Sequence, residues 1–567
     1  MLAAFKKPST LIPLGLFLAS FLLRLIGIGW GLPNDLHNQS YHPDETINYG
    51  VSQAIDVSKG QLVPNPHFYN YGTAYFVAEN VAGKIVDAYG GGPSGQSAKD
   101  LWQSVGRTIL AGRVVSALAG AGAVVVLWLI LRRITTQFGA LFGCLLVAVA
   151  PGFVVHSRFE SVDVFATFWL ALSALFALRI LGARPDSMAE ADRREPSDMR
   201  DALLAGAFAG ISTGTKYTGV LVLLVLWIAL GMTRRPKWWI AGLAGSAMAF
   251  VCFVATTPGF LFDSANFWTD FSSEMHHAAT GHGMVFIGTS SGFLYHIVNL
   301  IVGVGGLLSL AGFLGLAYAA FRKHPWAIAL LAFALVYYFV IGRAEVKFLR
   351  YTFPLLLPLA AGFGYAMGTA RRRGGWGHLL VAGGFFAIAG IDFGGFAGAI
   401  KYSLFMSGED PRDEAARYLM DVAKDGTVGF VKAPWFWSAP LIPDAGLNRG
   451  QLRQIYREMD QSEHPKVVQF RPPDGSMPID WDPRLVTETK PDYIVFSSFE
   501  ANDEDRLKDA SGLDAATQAD VDRYKAFIPE LQKAYILKNV FGGQVPEIHD
   551  LMYIRPTLWV WKRKDPR

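Results

Sequence analysis

Cysteine is nearly absent from these 567 residues: only Cys144 and Cys252 occur, both inside apolar stretches. Two such thiols exclude a disulfide framework and a cysteine-built metal cluster. Charge is scarce as well. Only 17% of the residues are charged, against about 25% in an ordinary soluble protein. The chain has no internal repeat, no low-complexity tract, and no dinucleotide-binding or P-loop glycine pattern. Its net charge of +4 calls for no nucleic-acid partner, because the basic residues sit in short loops.

What is plentiful is apolar sequence. Hydrophobic residues make up 51% of the chain, with 40 Phe and 15 Trp. Long apolar runs recur from residue 10 to about residue 400, which predicts a polytopic α-helical membrane protein. The first span covers 11–30, with Lys6 and Lys7 before it marking a cytoplasmic N-terminus. A long outer loop, 31–105, follows. Further spans are expected near 108–131, 137–155, 162–181, 238–257, 296–320, 325–342, 351–369 and 376–400.

The stretch 202–231 is too long for one crossing, at about 45 Å of helix against a hydrocarbon core of about 30 Å. The basic clusters Arg132/Arg133, Arg184/Arg193/Arg194/Arg200, Arg234/Arg235/Lys237, Arg322/Lys323 and Arg371/Arg372/Arg373 share one side only if 202–231 crosses twice. Two short helices meeting near 214–219 are therefore expected, with about 11 spans in all. That count puts the segment after Lys401 outside, along with the 258–295 loop, which has no Lys or Arg. From 401 the composition shifts and the long apolar runs stop. Asp410-Pro411 reads as a helix start. β-like runs at 427–431, 466–470, 493–497 and 557–562 predict an extracytoplasmic α/β domain over 401–567.

The chemistry centres on Tyr41-His42-Pro43-Asp44-Glu45, in the loop after the first span. Adjacent residues diverge in direction, so only one of the two acids is expected to face a given reacting atom. An aromatic stretch, Phe68-Tyr69-Asn70-Tyr71, lies later in the same loop.

Taken in order, these motifs resemble the bacterial branch of the protein O-mannosyltransferase family, GT-C glycosyltransferases that use polyprenyl-phosphate sugars. The similarity continues through His156-Ser157-Arg158 to Asp163, Gly214-Thr215-Lys216-Tyr217, and Arg350-Tyr351 with Pro354 and Pro358. It spans about residues 10–400, with an echo at Leu558-Trp559-Val560-Trp561. Gly72 stands where the family usually has proline. The resemblance implies Asp44 as catalytic base with Glu45 assisting. It implies substrate contacts from His42, Tyr71, Asp163 and Tyr351. The β-trefoil insert of the eukaryotic branch is missing.

Glycosyl transfer from a phosphate leaving group needs one general base and a cationic clamp, with no second acid to protonate the leaving group. Arg343, Lys347 and Arg350 break the basic-inside pattern on an outer loop, and their spacing predicts one helical face. Lys216 and Arg158 are further phosphate candidates, with ion pairing to Glu160 or Asp163 as the alternative for Arg158. No cofactor is required. A divalent metal is a secondary expectation, with Glu274, His276, His277 and His282 as its candidates.

The expected partners are a polyprenyl-phosphate-linked sugar, membrane lipid and an acceptor that the sequence does not specify. The expected location is a bacterial plasma membrane, with the active site outside. Two rival classes are a secondary transporter, disfavoured by the lack of an inverted repeat, and a non-catalytic envelope-assembly protein.

Overall fold

The computed structural model describes residues 8–55, 64–90, 98–182, 198–391, 393–441, 465–474 and 477–564. Lys6, Lys7, Arg184, Arg193 and Arg194, used above to orient the chain, lie outside these residues.

The helical part opens with α1 (Pro8–Leu25), α2 (Pro43–Ala54), α3 (Ala74–Gly90) and α4 (Ala98–Ile134). There follow α5 (Gln137–Ala148), α6 (Pro151–His156), α7 (Val162–Arg179) and α8 (Asp198–Thr213). Among the described residues five helical stretches are long and apolar enough to cross a membrane: Trp102–Ile134, Val162–Arg179, Trp238–Thr256, Pro325–Gly342 and Leu349–Arg373. Shorter apolar helices cover Leu11–Leu25, Gln137–Ala148, Tyr217–Thr233 and Trp376–Ala389. Leu243, Phe250, Leu307, Phe313, Leu335 and Phe339 are exposed on the outside of the bundle. An apolar exterior is what lipid contact requires, and the chain is an integral membrane protein.

Several expected single spans are broken. The run 296–320 is two helices, Gly292–Gly303 and Gly306–Phe321, bent by 113°. Gly305 has φ +122 there, a conformation closed to most side chains. The run 137–155 divides between α5 and α6, where Pro151 starts a new helix. The 202–231 stretch breaks as expected: α8 ends at Thr213, a 3-10 turn covers Tyr217–Val222, and helix Leu223–Thr233 returns against α8. Gly206 and Gly210 of α8 lie against the backbone of Gly245 and Ala249. Small residues at that spacing let two helices approach closely without a water-driven force.

After helix Gly395–Ser407 the chain changes character. Asp410 caps helix Pro411–Val422 by accepting from the Arg412 amide, with Pro411 at its first position. Among the described residues five strands then form one sheet: β1 (Thr427–Phe430), β2 (Lys466–Val468), β3 (Tyr493–Ser497), β4 (Tyr535–Gly542) and β5 (Thr557–Arg563). Their order is β2-β1-β3-β5-β4, with β1 parallel to both neighbours and β5 antiparallel to both of its own. β4 is the strand absent from the expected set. It follows directly on helix Ala515–Ala534 with no turn signal between them.

The sheet-bearing segment is held to the helical part by polar contacts. Trp30 donates to Asp410 (3.0 Å), Asn34 donates to Asp413 (3.0 Å), and the Tyr41 hydroxyl also donates to Asp413. Phe436, Leu551, Tyr553 and Ile554 share one apolar core with Trp30, Tyr41 and Phe159.

Candidate active site

Asp44 and Glu45 lie in the first turn of α2, not in a loop. His42 is the N-cap and Pro43, with its preset φ, occupies the first helical position. Acids there face the positive end of the helix dipole. The two then part company. Glu45 points inward and is fully buried, accepting from Arg113 Nε (2.8 Å) and Nη2 (2.7 Å). It also accepts from the Ser40 hydroxyl and the Glu160 amide (3.0 Å). Arg113 donates as well to the Ile28 and Trp30 carbonyls. Glu45 is therefore turned away from the cleft that Asp44 lines and held behind it by Arg113, Ser40 and Glu160.

Asp44 points the other way and is 36% exposed. Its Oδ2 lies 3.1 Å from Arg350 Nη2. Arg350 sits in a 3-10 turn, Leu349–Leu355, that contains Pro354. The same guanidinium reaches Asp550 Oδ1 at 3.0 Å and Asp163 Oδ2 at 3.7 Å, and lies over the Phe348 ring. Lys216, at the break after α8, pairs with Asp163 and stands 4.1 Å above the Tyr351 ring. His42, Asp44, Tyr71, His156, Asp163 and Arg350 line one cleft.

Electrostatics set the charge states. Burial is the largest influence and pushes the Asp44 carboxyl up, but Arg350 with smaller help from His42 and His282 leaves the group below its ordinary value, so Asp44 is an ionised carboxylate. Burial likewise opposes ionisation of Asp550, yet Arg350 and His156 hold its carboxyl well below the usual range. Burial drops the His42 imidazole to about 4 despite Asp44 and Glu45 beside it, so His42 is neutral at physiological pH.

The expected clamp is only partly assembled. Helix Pro325–Gly342 ends before Arg343, so 343–348 is not helical and the shared-face argument fails. Arg343 is exposed at the helix end, its guanidinium 5.8 Å from the Phe339 ring centre. Lys347 is buried and turned away, donating to Thr289 Oγ1 and the Ser290 carbonyl at 3.1 Å each. Arg158 faces α1, donating to the Leu23 and Arg24 carbonyls and to Ser403. Of the five expected cations, Arg350 lines the cleft and Lys216 is joined to it through Asp163.

The histidine cluster is not arranged as three ligands. His277 Nε2 and His282 Nδ1 share a hydrogen bond of 2.9 Å, Glu274 lies 3.8 Å from His277, and among the described residues no group of three is placed to hold a metal ion.

Sequence reasoning missed Asp550 and Arg113. Arg113 carried a signal, an arginine inside an apolar run. Asp550 carried none, being one acid among many in the C-terminal segment.

Residues 101–258 match the family model described as dolichyl-phosphate-mannose-protein mannosyltransferase. This agrees with the resemblance to GT-C glycosyltransferases read from the motifs, and the match includes Asp163 and Lys216. No curated protein sequence matches the chain. ArnT from Cupriavidus metallidurans, in a crystal structure with undecaprenyl phosphate, is similar at 16% identity and a TM-score of 0.49, covering 98% of both chains. The Archaeoglobus fulgidus oligosaccharyltransferase in its apo form is similar at 15% identity and a TM-score of 0.45. That alignment covers 74% of this chain and spans 58% of the length of the oligosaccharyltransferase. The arabinofuranosyltransferase AftD from Mycobacteria aligns at 13% identity and a TM-score of 0.39, over 97% of this chain and 41% of its own.

Proposed function

We propose that the chain is an inverting glycosyltransferase that moves one sugar from a polyprenyl-phosphate donor to an acceptor hydroxyl on the outer face of a bacterial plasma membrane. In this reading the part up to about residue 400 forms the catalytic membrane domain, and 401–567 forms an extracytoplasmic domain. The observation that carries it is the meeting of Asp44, Asp163 and Arg350 in one cleft, with Lys216 paired to Asp163, from four separate parts of the chain. The family model over 101–258 supports the class of donor.

Asp44 accepts the proton of the acceptor hydroxyl while that oxygen bonds to the anomeric carbon. The bond from that carbon to the phosphate oxygen breaks, and its electron pair leaves with the phosphate. Arg350 and Lys216 neutralise the growing phosphate charge. Without donor, both cations are occupied by carboxylates. A phosphate that takes over Arg350 loosens its hold on Asp44 and makes that carboxylate a stronger base at the moment it is needed. Asp163 keeps Lys216 aimed into the cleft. Tyr71, Tyr351 and neutral His42 shape the sugar site.

The test is transfer from a polyprenyl-phosphate sugar by purified protein. Asp44→Asn retains shape but cannot take the proton, so the rate should fall about 100- to 10,000-fold while donor binding persists. Full turnover by that variant would overturn the mechanism.

A further inference from the structure

A second cavity, of about 310 Å³, lies beside the cleft, between the 285–295 segment and the C-terminal helices Ser498–Leu507 and His549–Met552. Its size is that of a small-ligand site. Tyr295, Phe499 and His549 supply aromatic walls, and Asn502, Asp503 and Glu547 supply polar groups. The wall it shares with the cleft is a chain of rings. Phe499 stacks on Tyr553 at 5.2 Å, and Tyr553 lies 4.9 Å from His42, a lining residue of the cleft. His549 is held by the Tyr553 hydroxyl (3.2 Å) and precedes Asp550, the partner of Arg350.

From this we infer that the cavity receives the acceptor, and that the acceptor presents an uncharged glycan. The inference rests on the glycosyltransferase reading for what happens next, but the binding chemistry stands by itself. The lining is acidic: Asp503, Asp505 and Glu547 face a single Arg506. Arg506 is already engaged with Asp503 (2.8 Å) and with the Ile287 and Met284 carbonyls. Burial keeps the His549 imidazole at about 4, hence neutral. A phosphorylated or otherwise anionic acceptor would meet carboxylates with no free cation. Hydroxyl groups instead donate to carboxylate and amide oxygens, and Asn502 and Glu547 have no partner among the described residues. Sugar rings also offer apolar faces to aromatic walls. An extended peptide fits less well. It binds by pairing its backbone with a strand edge, and the C-terminal wall is built from two helices whose own backbones are paired.

Saturation-transfer NMR on the full-length protein in nanodiscs tests this. The probes are uncharged di- and trisaccharides of glucose, mannose and galactose, with mannose 6-phosphate and a Ser/Thr-containing peptide as competitors. At least one uncharged saccharide should bind. Glu547→Gln combined with Asn502→Ala should weaken it 10-fold or more, and Asp44→Asn should leave it unchanged. Glu547 is exposed and Asn502 half-buried, so the double variant should keep its fold, checked by thermal unfolding. Absence of saccharide binding, preference for the peptide or the phosphosugar, or indifference to the double variant each overturns the inference. Saccharide binding as expected with a fully active Asp44→Asn enzyme would sink the catalytic reading alone.

Discussion

Arg350 and Asp44, far apart in sequence, meet at 3.1 Å, and the same guanidinium holds Asp550 and lies near Asp163. One cation is thus shared among three carboxylates, and Lys216 adds a second positive charge through Asp163. In the mechanism proposed, an incoming phosphate competes with carboxylates already seated on these cations.

That arrangement predicts a pH dependence. Burial, the largest influence, raises the Asp44 carboxyl, and Arg350 with smaller help from His42 and His282 brings it below its ordinary value. A base with a depressed value stays ionised as pH falls, so transfer should persist below the ordinary aspartate range of about 3.9. Arg350→Gln removes the largest lowering influence. The acid limb of the pH–rate profile should then move to higher pH. A limb that stays in place would show that Asp44 is not the titrating base.

Lys216→Ala should weaken donor binding. A charge-assisted contact of about 1.5–3 kcal/mol corresponds to about 10- to 100-fold in affinity. Titration of purified protein with a polyprenyl phosphate measures it. Equal affinity of the variant and the parent would leave Lys216 as only a partner of Asp163.

Arg113→Ala should act on stability rather than on a chemical step. It strands the buried Glu45 carboxylate, and breaking one side of a buried pair costs about 3–5 kcal/mol. Thermal unfolding in detergent should register a large fall, and Glu45→Gln should lose less because the amide keeps part of the hydrogen bonding. A variant with unchanged unfolding and lost turnover would instead give Glu45 a chemical task.

Gly72 offers a packing test. Its amide donates to the Thr215 carbonyl (3.3 Å), and a Cβ at position 72 would run into the carbonyl of Gly214. Gly72→Ala should push the Tyr71 loop away from the break that presents Lys216. Activity should drop with donor affinity, while Gly50→Ala, in open space, should change neither. Normal donor binding by Gly72→Ala would dissociate that contact from the site.

How much of this could be read from residue order depends on the range of the forces involved. Apolar runs required a membrane bundle, because peptide groups in lipid must pair within their own helix. The helix break near 214–219 followed from the length of the apolar stretch and from keeping the basic clusters on one side. The β-like runs at 427–431, 466–470, 493–497 and 557–562 each hold a strand, while β4, with Ile536, Leu537 and Val540 exposed, did not stand out from the helix before it.

The divergence of Asp44 from Glu45 was legible in the geometry of adjacent residues. Which acid turned inward was not. Tertiary packing decided it by placing Arg113, the Ser40 hydroxyl and the Glu160 amide behind Glu45. The sorting of Arg343, Lys347 and Arg350 was decided in the same way. Sequence spacing assigned them a common face only on condition of a continuous helix, and the helix stops at Gly342. Asp550 reaches Arg350 because the C-terminal segment folds back onto the bundle, a long-range contact that no local pattern encodes. Local backbone preference acts over a few residues and is visible in sequence, whereas charge pairing across the cleft exists only once distant segments are packed.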